Sequence, residues 1–413
     1  MMAANSRAAD GLRVVVVGGS LGGLLVANML RRAGCDVTVH ERIGEALSGR
    51  GVGIAAHAEM FDAFGRAGVD VNQAIGIAVD DRIVLARDGS VMARHKVRQV
   101  MCSWSSLFGL LRAAFAEDRY FAGMEFSGAE QSGAKVRARF ADGTEIEADL
   151  LIGADGIHST LRRHYWPASK PQYAGYIAWR GIVEEARVSR ETHEMLFTRY
   201  AFCLPPGEHM LGYAIAGADG DDRPGRRRYN IVWYRRAEEE GELRRLMTDA
   251  AGTHHPLGIP PGLIRSEAVA ELRAAARANL APQFAEMVEL VETPFFQSVV
   301  DMEVPSMVSG RAVLLGDAAF LARPHCGMGV TKAAGDAVLL AELVVAFPDD
   351  IGHALQVYDA ERCRFGRYIT AYARRLGSQM KHSYASEEER REAEYYRRPE
   401  TCLRKISLPP DPP

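Results

Sequence analysis

Four consecutive valines, Val14 to Val17, run straight into Gly18-Gly19-Ser20-Leu21-Gly22-Gly23. An unbroken β-branched run suits a parallel strand whose two faces are both covered. The glycines then allow a tight turn into a helix, Leu24 to Arg32, which Gly34 closes as a C-terminal cap. Asp36 to His40 supplies a second strand and Glu41 ends it. These roughly 30 residues form a βαβ unit, so the expected fold is α/β with a Rossmann-like nucleotide-binding sheet. Gly18 makes the turn, Gly23 lets helix and strand pack, and Ser20 is small enough for backbone to approach a pyrophosphate. The helix N-terminus around Leu21 and Gly22 offers unpaired N–H groups to the phosphates. Glu41, about 20 residues on, is placed to accept bonds from ribose hydroxyls and to repel a 2′-phosphate. Serine at the middle position departs from the G-x-G-x-x-G pattern.

A second motif lies far downstream. Ala312 to Leu315 is an apolar strand that ends in Gly316-Asp317, an acid at the carboxyl edge of a sheet, where ligands bind. Arg323-Pro324-His325-Cys326-Gly327-Met328-Gly329-Val330-Thr331 then opens a helix that runs to Val345. Two glycines bare their N–H groups at its start, and a helix N-terminus stabilises the negative charge of a reduced flavin. The two motifs imply a discontinuous nucleotide domain over 1–72, 101–165 and 297–345. Between them, 73–100 and 166–296 are expected to form a substrate domain, and 346–413 the C-terminal helices and tail. Asp88-Gly89 and Asp142-Gly143 mark tight hairpins. Tyr176 to Val183, Glu194 to Leu204, Met210 to Ala216 and Arg228 to Tyr234 read as strands of an antiparallel sheet. The charged stretch Gly217 to Arg227 reads as a mobile surface loop.

Composition narrows the partners. A net charge of -3 gives no reason to expect a nucleic acid. No apolar run reaches the roughly 18 residues of a membrane span, and Met1 to Asp10 lacks a secretory pattern. The six cysteines are scattered, without a Cys-x-x-Cys pair. Free thiols in a reducing cytoplasm are expected, with no disulfide frame and no metal site. A monomer or homodimer is compatible with the C-terminal helices.

Taken together, Gly18 to Gly23, Glu41-Arg42, Asp155-Gly156, Gly316-Asp317 and Pro324-x-x-Gly327-x-Gly329 resemble the marks of single-component, class A flavoprotein aromatic hydroxylases, the p-hydroxybenzoate hydroxylase fold. The segments Tyr173 to Gly181 and Arg323-Pro324-His325 resemble, more narrowly, the pyridine-ring hydroxylases of that family. The resemblance implies FAD as cofactor and NADH or NADPH as co-substrate. It implies that Glu41 holds the adenosine ribose, with Arg42 beside the adenine and Arg50 among the cofactor contacts. Asp155 and Gly156 would serve both FAD and the passing nicotinamide, and Asp317 the ribityl chain. Pro324, Gly327, Met328, Gly329, Val330 and Thr331 would lie along the isoalloxazine. Many members carry an arginine near position 106, where this chain has Ser105-Ser106-Leu107, so nicotinamide contacts through that arginine do not transfer.

The implied reaction is hydroxylation of a small, electron-rich hydroxylated aromatic or N-heteroaromatic ring by O2, through a flavin C4a-hydroperoxide. A base that takes the ring hydroxyl proton strengthens the nucleophile, and an imidazole titrates in the right range. His325 in the flavin loop and His57 after Gly53-Ile54 are the candidates, against structural histidines bonded to backbone. Trp179, Tyr213 and Tyr234 are candidate pocket walls, with plain sheet core as the competing role. Cys326 reads as an ordinary thiol. A reductase on the same fold stays open and would turn over without oxygen uptake. A halogenase is disfavoured, because Trp104, Trp166, Trp179 and Trp233 form no Trp-x-Trp pair. A plain NAD dehydrogenase would leave Gly316-Asp317 and the Pro-x-x-Gly-x-Gly loop unexplained.

Overall fold

The structure is a computed structural model that describes residues 11–45, 53–71, 75–218 and 220–410. Arg50 lies outside the described residues.

The valine run is strand Arg13–Val17, and Val14, Val15 and Val16 are fully buried. It pairs in parallel with Asp36–Glu41 on one side and Leu150–Gly153 on the other. Leu150–Gly153 pairs in parallel with Ala312–Leu314, which brings the two distant motifs to neighbouring strand ends. Tyr120–Ala122 and Val308–Ser309 complete this six-stranded sheet at its two edges. Helices Leu21–Arg32 and Gly329–Ala346 pack together on one face, and the three-stranded sheet of Phe126–Ser132, Lys135–Phe140 and Glu145–Ala148 lies against the other. Burial on both faces is why the central strand carries no polar alternation.

A nine-stranded sheet forms the second half of the molecule. Its centre is antiparallel: Phe295–Glu303, Gln172–Glu184, Arg228–Arg236 and His209–Ile215 lie side by side. It also takes in Gly53–Ala56 and Val91–Ser103 from the early part of the chain. The expected architecture is therefore present: a discontinuous Rossmann-like part, an inserted antiparallel sheet and C-terminal helices.

Side chains leave this sheet alternately on its two faces. Trp179, Ile231, Trp233 and Met210 join Leu272, Phe284 and Met287 of the helices Ser266–Asn279 and Pro282–Leu290 in one core. Ala178, Tyr200, Tyr213, Val232 and Tyr234 join Leu376, Leu403 and Ile406 on the opposite face.

Two local expectations change. Glu194 to Leu204 is not one strand: helix Arg190–Leu196 precedes the strand Arg199–Cys203. Ser189 caps that helix by accepting from Thr192 N–H, and Glu286 accepts from the Ser189 N–H and hydroxyl at 2.7 Å each. The charged stretch before Arg228 is tied down at its end, because the buried Glu185 carboxylate accepts from Gly225 N–H at 2.7 Å and from Arg227 N–H at 3.0 Å. The Arg227 guanidinium closes on the same carboxylate at 2.5 Å.

Candidate active site

A single cavity of about 1420 Å³ runs between the two sheets. At one end its walls are Ser20, Leu21 and Gly22 of the glycine turn, with Leu315, Gly316 and Asp317 facing them. At the other end they are the side chains of Tyr200, Tyr213 and Tyr234. Pro324, Gly327, Gly329 and Val330 lie between, and Gly156 lines the rim.

The glycine turn is shaped by contacts no side chain would allow. Gly18 sits at φ +102, and a Cβ there would lie 2.4 Å from the Ala154 carbonyl oxygen. A Cβ on Gly23 would lie 1.9 Å from the Gly18 carbonyl oxygen. Neither residue lines the cavity; both set the course of the turn that does. Ser20 is the N-cap of helix Leu21–Arg32 but makes no side-chain cap bond, so the first-turn N–H groups face the cavity uncapped. Helix Gly329–Ala346 begins the same way, with Met328 as an N-cap that makes no side-chain bond. Two long helices thus aim their positive ends into one space, as an anionic diphosphate and a flavin ring that gains negative charge both require. Gly327, at φ +66, turns the chain into the second helix. These residues fit FAD.

The carboxylates play varied parts. Glu41 is turned onto the glycine loop, where it accepts from Gly19 N–H at 2.8 Å and Ile43 N–H at 2.9 Å. Arg42 is exposed, within electrostatic reach of His158, which lines the cavity. Asp155 does not reach the cavity wall. Its Oδ2 accepts from Thr160 and Leu161 N–H groups at 2.7 and 3.2 Å and so caps helix Thr160–Tyr165. Burial raises its pKa above the usual carboxylate range. Asp317 does line the cavity and pairs with the buried Lys332 at 3.3 Å. Asp336 fixes this corner by accepting from Gly316 N–H at 2.9 Å and from Arg362.

Neither candidate base lines the cavity. His57 Nε2 lies 3.3 Å from the Ser407 carbonyl and Nδ1 lies 2.9 Å from the Thr331 hydroxyl. A carbonyl can only accept, so Nε2 carries the proton and Nδ1 accepts from Thr331. Burial holds His57 below the usual imidazole range, so it is neutral. Met328 and Thr331 turn inward with it, away from the cavity surface. His325 is completely buried, 2.9 Å from the Tyr176 hydroxyl, with its ring tilted against that of Tyr234 at 4.2 Å between centroids. Burial pushes its pKa well down, and the neighbouring His209 and Arg323 push the same way. The loop from Arg323 to Gly329 therefore lines the cavity with Pro324, Cys326 and Gly327 and folds the imidazole between them into the core. The Cys326 thiol is raised by burial to about 11 and donates to the Arg323 carbonyl.

Of the aromatic candidates, Tyr213 and Tyr234 line the cavity and Trp179 does not. Trp179 is paired with Trp233 across the strands and packs on Phe296 in the helical core, 5.0 Å between ring centroids. Its neighbours Ala178 and Arg180 take the cavity side instead. Sequence reasoning missed Arg180, Tyr200, Ser298 and Ser407, all of which line the cavity. Ser407 comes from the chain's far end. Its N–H donates to the His325 carbonyl at 2.9 Å, its carbonyl accepts from Gln99 at 2.8 Å, and its hydroxyl bonds that of Tyr200 at 2.9 Å. Among the described residues, no group of His, Cys, Asp and Glu could hold a metal ion, and no helix is long and apolar enough to cross a membrane.

Comparison with known proteins agrees with this geometry. Residues 173–301 match the family described as FAD binding domain-like, and residues 13–74 match pyridine nucleotide-disulphide oxidoreductases. The chain is 32% identical over 374 residues to the 2,6-dihydroxypyridine 3-monooxygenase of Paenarthrobacter nicotinovorans, covering 90% of this chain and 92% of that one. The solved 2,6-dihydroxypyridine-3-hydroxylase of Arthrobacter nicotinovorans superposes with a TM-score of 0.84 at 30% identity, over 92% of this chain and 95% of that chain. A Klebsiella pneumoniae protein solved with FAD and uric acid shares the fold, with a TM-score of 0.72 at 21% identity over 95% of this chain and 97% of that chain.

Proposed function

The chain belongs to the class A FAD-dependent aromatic hydroxylases, and we propose that it hydroxylates a small hydroxylated pyridine or related electron-rich ring, using NADH or NADPH as reductant. The observation that carries this reading is the continuity of the cavity, from uncapped helix N-termini at one end to a tyrosine wall at the other. The similarity to a dihydroxypyridine monooxygenase supports the substrate class.

When bound, FAD supplies the two-electron chemistry between reduced nicotinamide and O2. The overall balance is ring–H, O2, NAD(P)H and a proton to ring–OH, water and NAD(P)+. In our reading the N–H groups of Leu21 and Gly22, with the Ser20 hydroxyl, hold the diphosphate. Glu41 keeps the glycine loop in shape and takes the adenosine ribose, with Arg42 and Gly156 at the rim. Asp317 binds the ribityl chain, and Lys332, 3.3 Å away, keeps it in place. Gly327, Gly329 and Val330 present backbone to the flavin ring. Tyr213 and Tyr234 set the plane of the substrate. His57 and His325 are positioning residues: one ties Thr331 to Ser407, the other ties the flavin loop to Tyr176. The apolar wall excludes water, so that reduced oxygen is transferred to the ring and not lost.

The test is NADH and NADPH oxidation with oxygen uptake, in the presence of 2,6-dihydroxypyridine and a panel of hydroxypyridines and hydroxybenzoates. The expected product gains one oxygen atom, and 18O from 18O2 labels it. Absence of ring-stimulated oxygen uptake across the panel overturns the reading, and anaerobic turnover alone would favour a reductase.

A further inference from the structure

Arg180 stands in the middle of strand Gln172–Glu184, opposite Val232 on one neighbouring strand and Phe295 on the other. Alternation sends Ala178 and Arg180 to the cavity and leaves Trp179 and Gly181 facing the helical layer, where a Cβ on Gly181 would meet Val291 at 2.4 Å. The other buried or half-buried cations in or just behind the cavity wall have partners. Arg323 bonds Asp301 at 2.8 Å, Lys332 pairs with Asp317 at 3.3 Å, and Arg162 donates to the Ala318 carbonyl at 3.0 Å. The Arg180 side chain has no hydrogen bond or ion pair to any described residue, and its Nε is buried without a partner. Around it on the same face are phenols and aliphatic groups. The acids of the cavity wall are elsewhere: Asp317 is held by Lys332, and Glu239 and Glu240 are exposed. Arg180 is half-buried in the cavity wall, so a ligand anion at this end would meet a cation that no described acid neutralises.

We propose that Arg180 is the anchor for a ring oxygen anion, so that a fixed cation, not a histidine base, makes the substrate electron-rich. The inference rests on the hydroxylase reading and names its substrate class: rings with an ionisable hydroxyl. On binding, the ring O–H bond breaks, the electron pair stays on oxygen beside the guanidinium, and the proton leaves to bulk buffer. The oxyanion pushes charge to its ortho and para carbons, which are then the nucleophilic positions. The phenols cannot act as the counter-anion, because burial raises the pKa values of Tyr213 and Tyr234 and keeps both protonated. They remain hydrogen-bond donors in the same wall.

The test is ring binding to the oxidised FAD-loaded enzyme, read from the flavin spectrum without reductant, for wild type, Arg180→Gln and Arg180→Lys. The probes are 2,6-dihydroxypyridine, 2,6-dimethoxypyridine and benzoate. For 2,6-dihydroxypyridine, R180Q is expected to raise Kd about 10- to 100-fold, the size of a lost hydrogen bond between charged groups, and R180K to recover most of it. The bound ring should show the ultraviolet spectrum of its anion. The dimethoxy ring should bind wild type weakly and be indifferent to R180Q. Equal binding of 2,6-dihydroxypyridine to wild type and R180Q overturns the proposal, as does benzoate binding that alone depends on Arg180, which would assign the arginine to a carboxylate. Should R180Q not retain FAD, the neutral-ring comparison on R180K and wild type decides. Ring turnover with no Arg180 dependence sinks this inference alone, whereas Arg180-dependent ring binding with no oxygen uptake sinks the hydroxylase reading alone.

Discussion

At the dinucleotide end of the cavity the walls are backbone, from Ser20 to Gly22 and from Leu315 to Asp317. At the ring end they are side chains from separate strands, closed by Ser407 from the C-terminal tail. The difference follows from what each end has to recognise. A diphosphate is met by N–H groups, which every residue carries, so the sequence there needs glycine more than any particular side chain. A small ring is met by shape and by a few polar groups, which have to be collected from wherever the fold brings them. The first end is therefore rigid and intolerant of added atoms, and the second is adjustable one side chain at a time.

The largest effect should come from adding one methyl group at the backbone end. Gly23→Ala forces a Cβ to within 1.9 Å of the Gly18 carbonyl oxygen, and nothing flexible lies there to give way. FAD affinity is expected to fall about 100-fold or more, the upper range of overpacking costs. The ratio of flavin to protein absorbance after dialysis measures it. Full FAD occupancy in this variant would remove the claim that backbone geometry rules that end.

Next in size is removal of Ile406 onward. Ser407 bonds His325, Gln99 and Tyr200, and the Ile406 carbonyl accepts from the buried Arg82. A chain ending at Lys405 should bind the ring about 10-fold more weakly and divert reduced oxygen to hydrogen peroxide, because water enters a site meant to be dry. FAD affinity should stay within about threefold, since those contacts are backbone at the other end. Peroxide and hydroxylated product are assayed together, and Ser407→Ala tests the Tyr200 bond without cutting the chain. Loss of FAD and ring binding in parallel would mean the two ends are not separable.

What could be read in advance divides along the same line. Gly18 to Gly23, Glu41 and Gly316-Asp317 are local patterns, and their spacing alone placed them on strand ends of one sheet. The ring end offered no such pattern. The aromatic character of Trp179 leaves pocket wall and sheet core both open, and the phase of its strand, fixed by pairing with Trp233, puts it in the core. His57 and His325 stand four and two positions from Gly53 and Gly327, which do line the cavity, but Thr331, Ser407 and Tyr176 decide where their rings point. Ser407 was beyond reach, since 350 positions separate it from His57. Arg180 did leave a signal: a lone cation between a tryptophan and a glycine in an apolar strand.

A smaller contrast separates the two faces of the central sheet. Trp179→Phe should reduce stability by about 1 kcal/mol, a partly refilled core site, with KM for the ring within about twofold of wild type. Tyr213→Phe should do the reverse, raising KM about threefold to tenfold through one lost hydrogen bond and leaving stability nearly unchanged. Urea midpoints and steady-state kinetics on both variants decide it. A Trp179 variant with altered KM and normal stability would put that ring back in the pocket.

The last contrast shows only below neutral pH and compares His209 at the ring end with His40 behind the glycine turn. Burial lowers His209 to about 3, with the charge of Arg82 adding to it. Burial lowers His40 to about 4, with Asp142 pulling the other way. An unfolded histidine titrates near 6.5. Between these values the unfolded chain binds the proton and the folded chain does not, so stability is full above about pH 6.5 and is lost as pH falls toward about 4. Each histidine contributes a slope of at most about 1.4 kcal/mol per pH unit. His209→Gln keeps an acceptor for Gln379, which lies 3.3 Å from His209 Nδ1, and should flatten the pH 4 to 6 limb by up to that amount while leaving neutral-pH turnover unchanged. His40→Gln should flatten it similarly while acting on the half of the molecule that holds the nucleotide. Urea unfolding at a series of pH values, with the flavin signal and peptide hydrogen exchange over 12–41 and 399–408 recorded together, shows which half loosens. An unchanged slope in His209→Gln would mean that this imidazole is already protonated in the folded chain, and that the ring end is less dry than its packing implies.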